Sequence, residues 1–248
     1  MRSLRRKGNK FWNKEYSKAG PASAGAYSGK HLAISTNPSE DLIHFIKWLK
    51  RNHPEAQLDP KSSVLDLGCG NGRNLIYLAK TYGIHGLGYD ISSEAITQAK
   101  AQSKNLNLKY EVRSIAGQIT MPGESQALVL DMMTSHFLNE AERANLIKEI
   151  LRILKPGGWL YFKTFFKDQD INANRLLREN PAGEKGSYIH PKIGVAEHVF
   201  TEQEIKDMLG ENFIIHKMLR SHRHIEHGHG GTIHAGKRRS ISVYAEKR

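Results

Sequence analysis

The 248-residue chain predicts an α/β fold: a doubly wound, mostly parallel seven-stranded sheet closed by an antiparallel C-terminal hairpin. Three observations carry this reading. After Lys61, five short apolar runs alternate with segments of helical period, and such alternation calls for a parallel sheet covered on both faces. The first of these runs turns through closely spaced glycines into a helix. Near the C-terminus two further runs alternate as strands and pair as a hairpin. One domain with elaborations accounts for the length, and no second domain is required.

In chain order, residues 1–36 form a basic arm with the aromatic segment Phe11-Trp12-Asn13-Lys14-Glu15-Tyr16 and a small-residue stretch from Ala19 to Gly29 that is expected to be mobile. The domain proper occupies 37–248. Asn37-Pro38-Ser39-Glu40 reads as a helix start, with a capping side chain, proline at the first helical position and glutamate three residues after the cap. Leu42, Phe45, Ile46 and Leu49 continue that helix at helical spacing. The parallel strands are placed at Val64 to Leu67, Gly86 to Asp90, Lys109 to Val112, Ala127 to Asp131 and Trp159 to Thr164. Residues 167–199 are long, polar and rich in Gly, Pro and His, as lids and binding loops are, although a helical insertion fits as well. Thr201-Glu202-Gln203-Glu204 is a capping box opening a helix to Leu209, followed by strands at Phe213 to Leu219 and Ser240 to Ala245. A His/Arg-rich hairpin occupies about 220–239.

The chemistry concentrates in Val64-Leu65-Asp66-Leu67-Gly68-Cys69-Gly70-Asn71-Gly72 and in Gly86-Leu87-Gly88-Tyr89-Asp90. Glycines at 68, 70 and 72 admit positive φ and remove the Cβ atoms that would hold a ligand off the main chain. Asp90, ending the second run, can accept two hydrogen bonds from ribose hydroxyls and disfavours a 2′-phosphate. Read alone, the same carboxylate is as well suited to opening the helix near Ser92. The dinucleotide fingerprint needs glycine where Arg73 stands, so a hydride cofactor fits poorly.

The Asp-x-Gly-x-Gly-x-Gly spacing resembles the first motif of the class I S-adenosylmethionine-dependent methyltransferases, and Leu154-Lys155-Pro156-Gly157-Gly158-Trp159-Leu160 resembles that family's turn into its fifth strand. The likeness covers roughly residues 61–165. It implies the class I methyltransferase-like form of the fold above and an enzyme using S-adenosyl-L-methionine, with S-adenosyl-L-homocysteine as product. It further implies that Gly68 and Gly70 run beside the methionine part, Asp66 orients its amino group, Asp90 holds the ribose and Ile91 packs on the adenine. Many members carry an acidic residue after the third strand. This chain has Arg113-Ser114-Ile115, which leaves Ser114 as the candidate adenine contact. Asp131 and Met132 would line the sulfonium end.

A sulfonium methyl is already activated, so transfer mostly needs an acceptor held in line in a pocket that excludes water. A base matters only where the acceptor is protonated at neutral pH. His136, after the fourth strand, is the best-placed candidate, against a structural role at the next helix. Tyr188, His190, Glu197 and His198, in the 167–199 segment, are the further candidates for binding or deprotonating an acceptor.

Basic residues gather at the two ends. Residues 1–18 carry seven Lys or Arg against Glu15, residues 216–248 carry eight against Glu226 and Glu246, and these excesses make up the whole net charge of +12. Such ends can hold a polyanion by counterion release, or can simply be solvated, so the acceptor is either a small molecule or RNA. A non-catalytic regulatory module that binds the cofactor or nucleic acid on the same fold is the alternative. The histidines of His222-Arg223-His224-Ile225-Glu226-His227-Gly228-His229, with His234, lack a cysteine partner and sit beside arginine and glycine, so no metal site is assigned. Cys69 excludes an internal disulfide and is expected to be a buried structural thiol. No run is long and apolar enough to span a bilayer, and Met1 to Lys7 lack the apolar stretch of a secretory signal, so a cytoplasmic protein is expected.

Overall fold

Side chains alternate across a strand, so a strand covered on both faces must be apolar throughout. In β1 (Ser63–Leu67), Val64 packs with Leu42, Phe45 and Leu49 of α2 (Glu40–Asn52), whereas Leu65 and Leu67 join a second cluster. That second cluster is completed by Leu146, Ile147 and Ile150 of α5 (Glu140–Ile153) and by Ile205 and Leu209 of α7 (Glu202–Leu209). Burying such a side chain contributes about 1.5–3 kcal/mol, and these two layers hold most of the core. The computed structural model describes residues 2–18, 35–191, 193–221 and 238–248.

The remaining elements are α1 (Arg2–Lys18), α3 (Arg73–Tyr82), β2 (His85–Asp90), α4 (Ser93–Gln102), β3 (Leu108–Val112), β4 (Gln126–Met132), β5 (Leu154–Phe165), α6 (Ile171–Glu179), β6 (Ser187–Ile189), β7 (Ala196–His198), β8 (Phe213–Ser221) and β9 (Ser240–Lys247). The main sheet has seven strands in the order β3-β2-β1-β4-β5-β9-β8. The first five are mutually parallel, while β9 is antiparallel to both β5 and β8. The order reverses between β1 and β4, so the loops leaving their carboxyl ends flank one crevice.

Three local expectations change. The cap of α2 falls at Ser39, not Asn37, because Asn74 Oδ1 takes the Ser39 amide at 3.0 Å while the Asn37 carbonyl accepts from Arg73 Nη1 at 3.2 Å. The segment before α2 is thereby tied to the glycine loop. The Lys155-Pro156-Gly157-Gly158 turn is part of β5 itself, an irregularity between pairs Gln126–Leu154 and Leu128–Trp159, with Gly157 at φ +70°. A Cβ on Gly158 would lie 2.8 Å from the Lys155 carbonyl, so that position must be glycine. Thr201 Oγ1 caps α7 as expected, accepting from the Glu204 amide at 3.1 Å, but Glu204 turns to His198 Nε2 at 2.6 Å and leaves the box half made.

The 167–199 segment contains α6 and a separate two-stranded antiparallel sheet, β6 with β7. The stretch from Ala19 to Gly29 and the histidines of 222–234 lie outside the described residues. No helix among the described residues is long and apolar enough to cross a membrane.

Candidate active site

The loop after β1 takes positive φ at Gly68, Gly70 and Gly72. Four of its amides are already engaged. Gly68 and Cys69 donate to the Tyr89 carbonyl at 2.7 and 2.9 Å, Gly72 to the Cys69 carbonyl at 3.0 Å, and Gly70 to Asp90 Oδ2 at 2.9 Å. A loop with most of its N–H groups engaged is a poor phosphate cradle. What it presents instead is carboxylate. Asp66 is 2% exposed, and its Oδ2 finds no hydrogen-bond partner among the described residues. Burial, then the neighbouring Asp90, pushes its pKa up to about 7 against the pull of Arg73. Asp131, at the end of β4, is pushed up to about 6 by burial; its Oδ1 accepts the Ser135 amide at 3.1 Å and its Oδ2 is likewise unpartnered. Asp90 is raised by burial, and its Oδ1 accepts the Ser92 amide at 2.8 Å. The cap of α4 is Ser92, whose hydroxyl accepts from Ala95, so Asp90 joins the glycine loop to the helix start and does not cap it. Two buried carboxyl groups, Asp66 and Asp131, each with a spare oxygen, and the half-buried Asp90 around one glycine turn suit a cationic ligand with hydroxyls.

The residues expected beside the adenine, Ile91 and Ser114, follow β2 and β3 on this edge; Ser114 is exposed and accepts the Ala116 amide at 3.2 Å. Met132 ends β4, where its sulfur receives Asn74 Nδ2 at 3.5 Å, and Met133 follows at φ +63°, held by its amide to the Lys163 carbonyl at 2.8 Å. Two contacts over the loop had no sequence signal. A Cβ on Gly68 would collide with Thr134, and one on Gly70 with the hydroxyl of Tyr16. Tyr16 belongs to α1, which docks on α4: Ser92 Oγ donates to Asn13 Oδ1 at 2.8 Å and Gln98 Nε2 to the Tyr16 carbonyl at 2.8 Å. Burial, then Asp90, raises the Tyr16 phenol far above its usual range and keeps it neutral.

The acceptor-side candidates separate into two faces of the β6–β7 hairpin. Tyr188 pairs with Glu197 and Ser187 with His198. On the first face the Tyr188 hydroxyl donates to Glu197 Oε2, which also receives Arg238 Nη1 at 2.5 Å. Burial acts to raise the Glu197 pKa, but the charges of His136, Arg238 and His190 outweigh it and hold the carboxylate ionised. His136 lies in the short 3-10 turn Ser135–Phe137, 2% exposed, its ring 4.8 Å from that of Phe165. His136, Tyr188, His190 and Glu197 are thus brought together, and Arg238 joins them, a residue the sequence showed only as one of several basic hairpin positions. His198 is on the other face. Its Nδ1 meets Ser187 Oγ at 2.9 Å and its Nε2 meets Glu204 at 2.6 Å, beside the Glu184–Arg143 ion pair, so it ties the hairpin to α7.

Cys69 is buried, and burial raises its thiol well above the usual range, as expected of a structural residue. No grouping of three or more potential metal ligands occurs among the described residues. An open cleft of about 310 Å³ lies between Asp41 and His44 of α2 and Leu219, Arg220, Ser242 and Tyr244 of β8 and β9; none of these residues belongs to the glycine loop or to the Arg238 cluster.

Fold and loop together define a nucleotide-cofactor α/β protein whose loop favours cations, and comparison with known proteins agrees. A methyltransferase domain family model matches residues 64–158. The ubiquinone biosynthesis O-methyltransferase of Coxiella burnetii is 31% identical over 168 residues, covering 62% of this chain and 70% of that protein. The glycine/sarcosine/dimethylglycine N-methyltransferase of Actinopolyspora halophila is 22% identical over 233 residues, 82% of this chain, but the match spans only 41% of that relative's length. A crystal structure of an S-adenosylmethionine-dependent methyltransferase from Methanosarcina mazei superposes with TM-score 0.66 at 25% identity, covering 85% of this chain and 98% of the other. The chain belongs to the class I S-adenosylmethionine-dependent methyltransferases.

Proposed function

We infer that the protein transfers a methyl group from S-adenosylmethionine to a small-molecule acceptor held between the ends of β4 and β5 and the β6–β7 hairpin. The observation that carries this is the glycine loop, four of whose amides are engaged and beside which the buried Asp66 keeps an oxygen with no partner among the described residues. Bound S-adenosylmethionine supplies a methyl carbon activated by the adjacent sulfonium. Asp66 takes the ligand's amino group, Asp90 its ribose hydroxyls, and Asp131 adds negative charge toward the sulfonium. Tyr16 and Thr134 close the loop from above and exclude water. His136 receives the acceptor's proton where there is one to lose, with ionised Glu197 favouring the charged imidazole.

Two supports favour a small acceptor. The relatives named above act, by their names, on glycine and its methylated derivatives and in ubiquinone biosynthesis. The acceptor-side groups His136 and Tyr188 are also 2% and 0% exposed, too enclosed for a polymer lying on a surface. Calorimetry with S-adenosylhomocysteine tests the reading. Wild type is expected to bind, and Asp90→Ala to weaken binding roughly ten- to hundredfold, the loss of about 1.5–3 kcal/mol typical of a hydrogen bond to a charged group. No binding by wild type, or equal binding by the variant, would sink it.

A further inference from the structure

We propose that Arg238 is the acceptor-recognition residue of this site and that the acceptor carries a carboxylate, held by the Nε–Nη2 edge of the guanidinium. The proposal rests on the methyl-transfer reading above and names the class of molecule that reading leaves open.

Arg238 is 9% exposed, and its ion pair with Glu197 uses Nη1 alone. Nε and Nη2 are buried and find no hydrogen-bond partner among the described residues. Donors on a desolvated cation are costly to leave unpaired, so two on one side chain are a poor choice for stability and a good one for binding. They are also the right two. Nε–H and Nη2–H project in parallel from one edge of the plane, the spacing that a carboxylate's oxygens match bidentately.

The rest of the side chain is fixed. Its Cζ lies 3.4 Å from the ring centroid of Phe165 and 5.0 Å from that of Tyr188, so aromatic rings hold the guanidinium while one edge points away from Glu197. Phe165 also centres the cluster, with His136 4.8 Å away, and cross-strand from it Ser240 adds a buried hydroxyl that has no hydrogen-bond partner among the described residues. Directly paired residues share a sheet face, so Ser240 lies on the Phe165 side. A carboxylate on Arg238 would therefore anchor an acceptor whose body crosses Phe165 toward His136 and the end of β4.

Charge selects the class of oxyanion. Glu197 already balances Arg238, and the other titratable groups around the pair are Tyr188, His136 and His190, with the buried Asp170 beyond Tyr188. A carboxylate places both its oxygens on the Nε–Nη2 edge, whereas a phosphate dianion brings a second negative charge and a third oxygen into a buried site that already holds the Glu197 and Asp170 carboxyl groups.

The test titrates protein saturated with S-adenosylhomocysteine with acetate, benzoate and 3-phenylpropionate, with the corresponding neutral amides, and with phenyl phosphate, followed by calorimetry. Two variants accompany wild type: Arg238→Lys, which keeps a cation for Glu197, and the double variant Arg238→Gln with Glu197→Gln, which leaves no lone buried charge. At least one carboxylate is expected to bind wild type about tenfold or more tighter than its amide, and to lose that preference in both variants while their affinity for S-adenosylhomocysteine stays within about twofold of wild type. Absence of any carboxylate preference, stronger binding of phenyl phosphate than of benzoate, or an unchanged preference in either variant overturns the proposal. Failure of wild type to bind S-adenosylhomocysteine overturns the methyl-transfer reading itself, and the acceptor role with it.

Discussion

Among single residues, Asp66 separates two uses of the same glycine loop. Its carboxyl is pushed up to about 7, first by burial and then by Asp90, whereas in the unfolded chain it titrates near 4. The folded protein therefore binds this proton more tightly than the unfolded one, so from this group alone stability falls as pH rises from about 4 to about 7, and is flat above. A ligand with an ammonium group has the opposite preference, because it wants Asp66 ionised. Affinity for S-adenosylhomocysteine is expected to rise about tenfold between pH 6 and pH 8, with proton release near neutral pH, and Asp66→Asn is expected to bind more weakly with no such slope. Calorimetry across that range in buffers of different ionisation enthalpy checks both. A pH-independent wild-type affinity would show that Asp66 does not meet the amino group. The residue was legible in the sequence by its place before the glycines; its spare oxygen was not, since that depends on which amides the loop keeps for itself.

At the level of elements, the parallel strands and the closing hairpin were readable because each is a local pattern: apolar runs covered on both faces, and turns punctuated by glycine. What was not readable is contact between elements far apart in sequence. The helix start at Asn37 looked complete locally, yet Asn74 and Arg73 claim that segment and move the cap to Ser39. The aromatic segment of the arm was visible, but nothing local says that α1 crosses from α4 over the glycine loop to the acceptor side. It does so through Asn13 on Ser92, Tyr16 over Gly70 and Trp12 against Phe137, ring centroids 5.9 Å apart. A 17-residue basic helix is marginal on its own and is held by this docking. Because Tyr16 sits over the loop, a ligand bound there is expected to displace α1 on entry and to be covered by it afterwards. Deleting residues 1–18 is expected to speed both association and dissociation of S-adenosylhomocysteine in stopped-flow measurements, dissociation by more, with little change in Tm because α1 supplies neither main core cluster. Unchanged rates would mean that α1 is a passive appendage.

For the whole molecule, the question is what a net charge of +12 is for. The sequence places the excess at the two ends, where it suits RNA as well as solvent. Among the described basic residues there, Arg238 is paired with Glu197 and Arg220 with Glu202, acids from the rest of the fold, and the Arg239 guanidinium is held by Gln169. Charge used internally releases few counterions on binding a polyanion. An acceptor held through about six phosphate contacts would lose roughly a thousandfold in affinity between 50 and 200 mM salt. A small carboxylate reached inside the β6–β7 hairpin meets a desolvated charge that salt screens far less. With methyl-labelled S-adenosylmethionine and a cell extract split into RNA, protein and metabolite fractions, the label is expected in the metabolite fraction, at a rate changing less than about threefold over that salt range. Label in RNA, falling steeply with salt, would return the basic ends to the centre of the function.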